Sequence, residues 1–201
     1  MNRILAIASF IMMIATGAHA TTVNLMSGGD LHILGSKGTF NVDGVSGTVH
    51  AGSYAHNPRI SQFHHGIGVR TSHDDTGNLD GLWDEWLTFT LHKTVRLISV
   101  TFAHVDTTDD WDVYVGHTRV ANDSPSNPYD FGNVIASAFT ILADGHKCKL
   151  YIFCKSDDNF VIKKFEFEHT PAPVPLPAPG LLLIGGLAGF GFMRRRKQQV
   201  G

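Results

Sequence analysis

Between residues 21 and 170 apolar side chains recur at every second position, and no series of convincing length recurs at helical spacing. Leu87, Phe89 and Leu91 alternate with Thr88 and Thr90, and Val95, Leu97 and Ser99 with Arg96 and Ile98. Trp111, Val113 and Val115 alternate with Asp112 and Tyr114, and Phe165 and Phe167 with Glu166 and Glu168. Neighbouring side chains of a strand point to opposite faces, so each run predicts a strand with one buried face. Gly, Asp and Asn cluster at 28–30, 74–78, 144–145 and 156–159, where turns would separate the strands. Short strands so spaced predict an all-β domain, a single antiparallel β-sandwich of jelly-roll type over residues 21–170, a span that suits one domain with one core.

Charge is unevenly spread. All 18 acidic residues lie from Asp30 to Glu168, whereas five of the 16 basic ones, Arg3, Arg194, Arg195, Arg196 and Lys197, lie outside. The middle thus sets 11 basic against 18 acidic side chains, a net charge of −7. A surface of that sign repels phosphates, so nucleic acid is excluded as a partner.

The two ends read as addresses. Residues 1–20 join Arg3 to an apolar run at 4–15 and then to Ala18, His19 and Ala20. These are the three parts of a secretory signal peptide, with cleavage by signal peptidase expected after Ala20. Residues 171–180 alternate proline with small and apolar residues, a pattern that builds neither helix nor ladder and serves as a semi-rigid linker. Residues 181–193 are uncharged and predict a single transmembrane segment. Arg194, Arg195, Arg196 and Lys197 lead the tail at 194–201, which the positive-inside rule keeps in the cytoplasm.

A proline-bearing motif, a short glycine-containing apolar helix and a terminal basic cluster, in that order, resemble the PEP-CTERM family of bacterial sorting signals. Val174, Pro175, Leu176, Pro177 and Ala178 stand where other members have a Pro-Glu-Pro core. The resemblance implies that an exosortase, a membrane-embedded cysteine protease, recognises the motif and removes the tail. It also implies an inner-membrane intermediate, and then the cell surface or extracellular matrix of a Gram-negative bacterium, often one that makes exopolysaccharide. The strands at 66–69, 85–91, 95–102 and 109–115 are similar to the recurrent β-sandwich ectodomain of these proteins, for most of which no enzymatic activity follows.

Within the domain, Asp80, Asp84, Asp109 and Asp110 are the candidate ligands for a structural Ca²⁺, because loop carboxylates supply the hard oxygen donors that ion requires. No other cofactor is expected. Solvated turn carboxylates account for the same residues without an ion. Eleven histidines fall after residue 21, and His104 with Asp106 would share a strand face, but no His-Glu-x-x-His spacing occurs. Catalytic residues are not expected: Gly-x-Ser-x-Gly is absent, and Asp84 and Glu85, as sequence neighbours, would not face each other across a sugar. Cys148 and Cys154 on one strand would sit about 20 Å apart, too far for a disulfide, which leaves buried thiols or pairing with another molecule. Trp83 and Tyr129 fall in predicted loops and are the candidate glycan-stacking residues, with exopolysaccharide as the partner they would serve, while Trp86 and Trp111 are expected in the core.

Overall fold

The computed structural model describes residues 19–72, 76–145 and 158–169. Its elements are strands joined by turns, with one 3-10 turn at Gly81–Trp83. The first half contains β1 (His19–Asn24), β2 (His32–Leu34), β3 (Lys37–Val42), β4 (Val45–Gly52), β5 (Arg59–Phe63), β6 (Gly66–Arg70) and β7 (Leu79–Asp80). The second contains β8 (Glu85–Ala103), β9 (Trp111–Val115), β10 (Thr118–Ser124), β11 (Tyr129–Asp130), β12 (Ile135–Ala143) and β13 (Asn159–His169). Every pairing among them is antiparallel. The all-β reading therefore holds, and the described residues fall in one unit, Ala18–His169.

The local chemistry explains several of these elements. β3 and β4 are joined by Asp43 and Gly44, both at positive φ (50° and 74°). A two-residue hairpin turn that matches strand twist needs that backbone at both positions, and an Asp-Gly pair adopts it at little cost. The longest strand, β8, carries Leu87, Phe89 and Leu91 on its buried face and Trp86 and Thr88 on the other.

The sequence predicts two strands where β8 is one. His92, Lys93 and Thr94 are all exposed, and the register against β12 jumps between Ala136 and Ala138, so the extra residues leave the ladder as a bulge instead of turning the chain. The bulge lets β8 serve two sets of neighbours. β12 runs along both parts, while β4 pairs with the first and β13 and β11 with the second.

The core gathers side chains from strands that pair with one another and from strands that do not. Phe165 of β13 meets Phe40 of β3 at 5.5 Å, Phe89 of β8 at 5.3 Å and Phe139 of β12 at 5.3 Å between ring centres, mostly edge to face. Trp111 is fully buried between Phe102 and Phe160, as the alternation predicts. Among the described residues no helix is long and apolar enough to cross a membrane.

Candidate functional site: an acidic rim and an aromatic cleft

Antiparallel neighbours place alternate chain ends together. β8 begins, β12 ends, β9 begins and β10 ends at the same edge of the sheet, as the pairs Glu85 with Ala143, Asp112 with Leu142 and Trp111 with Ser124 require. Residues just beyond these ends collect there although they are far apart in sequence. Asp84 precedes β8, Asp110 precedes β9, Asp144 follows β12, and Asp123 lies in the last residues of β10. Carboxylate oxygens of Asp110, Asp123 and Asp144 lie within 4.8 Å of one another.

Hydrogen bonds hold this rim in shape. Asp112 is buried and accepts from Arg119 Nη1 at 2.8 Å and from the Asp123 amide at 3.1 Å. That hydrogen bond, then the charge of Asp112, raises the Arg119 guanidinium further above its ordinary value. Asp84 Oδ1 accepts from the Gly145 amide at 3.2 Å, tying the start of β8 to the end of β12. Burial pushes the Asp144 carboxyl up, and the charges of Asp112, Asp123, Asp84 and Asp110 push it the same way. Asp158, buried below the rim, accepts from the Asp110 amide at 3.1 Å. Burial raises its carboxyl to about 7; that hydrogen bond, the next largest influence, pulls it down, and the charges of Asp110, Asp144 and Asp109 add to the rise. An all-oxygen set such as Asp110, Asp123 and Asp144 could hold a hard divalent cation of the Ca²⁺ type.

Beside the rim, the outer face of the sheet forms a cleft of about 390 Å³. Its floor is a cross-strand row of Thr88, Thr140 and Tyr114 on β8, β12 and β9, and the two threonine hydroxyls bond each other at 2.9 Å. Trp86 and Leu142 form the next row towards the rim. Tyr54, 77 % exposed, stands over Trp86 with ring centres 5.6 Å apart and planes at 67°. Asp84 closes the rim end, and His117 on the turn after β9 also lines the cleft. The Trp86 indole lies directly over the Gly52 backbone, where any Cβ would collide with the ring.

No protein-family model, curated protein or solved structure matches this chain. Of the four aspartates singled out for calcium, Asp110 joins the three-carboxylate group and Asp84 stands near it, but its other members are Asp123 and Asp144. Asp109 is engaged elsewhere: its two oxygens accept from the Asn159 amide at 2.7 Å and the Asp106 amide at 2.6 Å, stitching the loop before β9 to β13. Asp80 is buried in β7 opposite Asn159.

The aromatic residues redistribute in the same way. Trp83 ends the 3-10 turn, and its carbonyl accepts from the Tyr54 amide at 3.0 Å. Tyr129 in β11 packs edge-on against Phe131, and burial followed by the charge of Asp130 raises its hydroxyl. Neither lines the cleft; Trp86, expected in the core, does. The alternation itself carries the signal, since Trp86 shares the parity of Thr88 and not of Leu87. His104 and Asp106 do not share a strand face: β8 ends at Ala103, and His104 follows it at φ 61°, stacked on His65 with Nδ1 3.2 Å from Asn78 Nδ2. Ala20 lies in β1, whereas Ala18, Cys148, Cys154, the motif at 174–178 and the basic cluster at 194–197 lie outside the described residues.

Proposed function

We propose that the chain is an exported, non-catalytic cell-surface or extracellular-matrix protein. On this reading signal peptidase removes residues 1–20, the segment at 181–193 holds an intermediate in the inner membrane, and an exosortase acts at Val174, Pro175, Leu176, Pro177 and Ala178. The observation that carries the reading is the order of parts around one β domain: signal-like segment, domain, proline-rich linker, apolar segment, basic cluster. β1 and β13, the first and last strands, are partners, with His19 opposite His169, so on this reading the two processed ends leave the domain side by side. We read its architecture as a two-layer sandwich of jelly-roll type, supported by the contacts of Phe165 with Phe40 and Phe139 on strands it does not pair with.

Terminal peptide mapping by mass spectrometry, on protein recovered from its native host, tests the sorting. A mature form that starts at Thr21 and ends near residues 174–178 is expected. Recovery only of chains that retain Met193 and the basic cluster would overturn exosortase processing.

A further inference from the structure

We infer that the cleft beside the acidic rim is a saccharide-binding site, and that it takes a pyranose unit bearing an ammonium group in preference to a neutral or acidic one. The volume, about 390 Å³, falls in the ~300–1,000 Å³ range of small-ligand sites. Its chemistry has three parts, and a pyranose matches each. Tyr54, Trp86 and Tyr114 present apolar rings, and the edge-to-face pair of Tyr54 and Trp86 makes a corner against which the C–H face of a sugar can lie. The floor is not apolar. Thr88 and Thr140 spend one hydrogen bond on each other, and each hydroxyl keeps further capacity for a sugar hydroxyl. A wholly apolar ligand would leave that capacity unused.

The third part sets the charge. Asp84 lines the cleft, and only its Oδ1 has a hydrogen-bond partner among the described residues. The lining includes no Lys or Arg among the described residues, the guanidinium of Arg119 beside Tyr114 is paired with Asp112 at 2.8 Å, and Asp110, Asp123 and Asp144 sit on the same edge. A cleft with this sign of charge favours cations and repels carboxylates and phosphates. An ammonium on the sugar would donate to Asp84 in a charge-assisted bond and meet the faces of nearby aromatic rings. The backbone of Asp84 is held at φ 45°, which Asn tolerates as Asp does, so Asp84→Asn removes the charge while keeping the backbone and the acceptor for Gly145.

Calorimetry on the full chain in a sugar-free polyoxyethylene detergent, at neutral pH, decides the matter. The probes are a glucosamine oligosaccharide, its N-acetylated counterpart, a galacturonate oligosaccharide and tetramethylammonium. The glucosamine oligomer is expected to bind about tenfold or more tightly than the N-acetylated one. Asp84→Asn should erase that preference, and Tyr54→Ala, at an exposed position, should weaken both sugars with the melting temperature unchanged. Equal or tighter binding of the N-acetylated or galacturonate oligomer overturns the inference, as does a preference that survives Asp84→Asn. Tetramethylammonium binding as tightly as the glucosamine oligomer would make this a cation cage and not a sugar site, and no binding by any probe would end the proposal outright.

Discussion

Burial holds the Asp158 carboxyl up at about 7, although its unfolded value is 3.8. Between those values the native chain keeps a proton that the unfolded chain has released. The stability this contributes is complete below the unfolded pKa and is lost as pH rises through the native one. In chelator, the melting temperature of the wild-type chain should therefore carry a falling contribution from about pH 4 to about pH 7, and Asp158→Asn should remove that contribution. The amide mimics the protonated acid and can still accept from Asp110; an unchanged slope in the variant would assign the pH dependence elsewhere. Gly52 is a second position where one atom decides. Because the Trp86 indole occupies the space of a Cβ, Gly52→Ala must displace the ring, at a cost of about 1–3 kcal/mol in denaturant titration. Displacement should also perturb the cleft, so any ligand found for it should bind the variant more weakly.

At the level of the strands, stability concentrates where side chains from several strands meet. Phe165 is fully buried and touches aromatic rings on β3, β8 and β12, so Phe165→Ala leaves a cavity that no single strand can close. The expected loss is about 3–5 kcal/mol by denaturant unfolding, whereas Ile135→Ala, at a position 69 % exposed, should change stability by less than about 0.5 kcal/mol. Strand content was legible in the sequence because period two is a local property: Leu87, Phe89, Leu91, Trp111, Val113, Phe165 and Phe167 are all buried as their alternation predicts. The continuity of β8 was not, since three polar residues at 92–94 read equally as a turn or a bulge, and only pairing with β12 decides between them. The rim fails for the same reason. Asp110, Asp123 and Asp144 become neighbours through the order β10, β9, β12, β8, and topology is not written in any local window. Trp86 is the contrast: its place in an alternating strand suggested the core, but its parity is that of Thr88 and puts it on the outer face.

At the scale of the whole molecule, the expected cut after Ala20 falls inside a strand. β1 begins at His19, so cleavage there removes the pairs with His169 and Glu168 and leaves Thr21, Thr22, Val23 and Asn24 opposite Phe167, Glu166, Phe165 and Lys164. What remains holds the buried part of the element. Ala20 is exposed, while Thr21 is 1 % exposed with its hydroxyl donating to Asp43 Oδ2 at 2.9 Å, and Val23 and Leu25 are fully buried. Loss of two edge pairs at a strand terminus should cost little, because the apolar surface stays covered. Chains starting at His19 and at Thr21 should therefore melt within a few degrees of each other. A chain starting at Met26 is a different case: it lacks Val23 and Leu25 and strips β13 of its β1 partner, exposing a long unpaired edge. Burial at about 1.5–3 kcal/mol for each large apolar side chain makes that loss comparable to a substantial share of a domain's stability. The Met26 form should melt far lower or aggregate, and thermal unfolding of the three forms side by side checks this. If the Thr21 form behaved like the Met26 form, cleavage after Ala20 would be incompatible with the folded domain, and processing would have to occur upstream of His19.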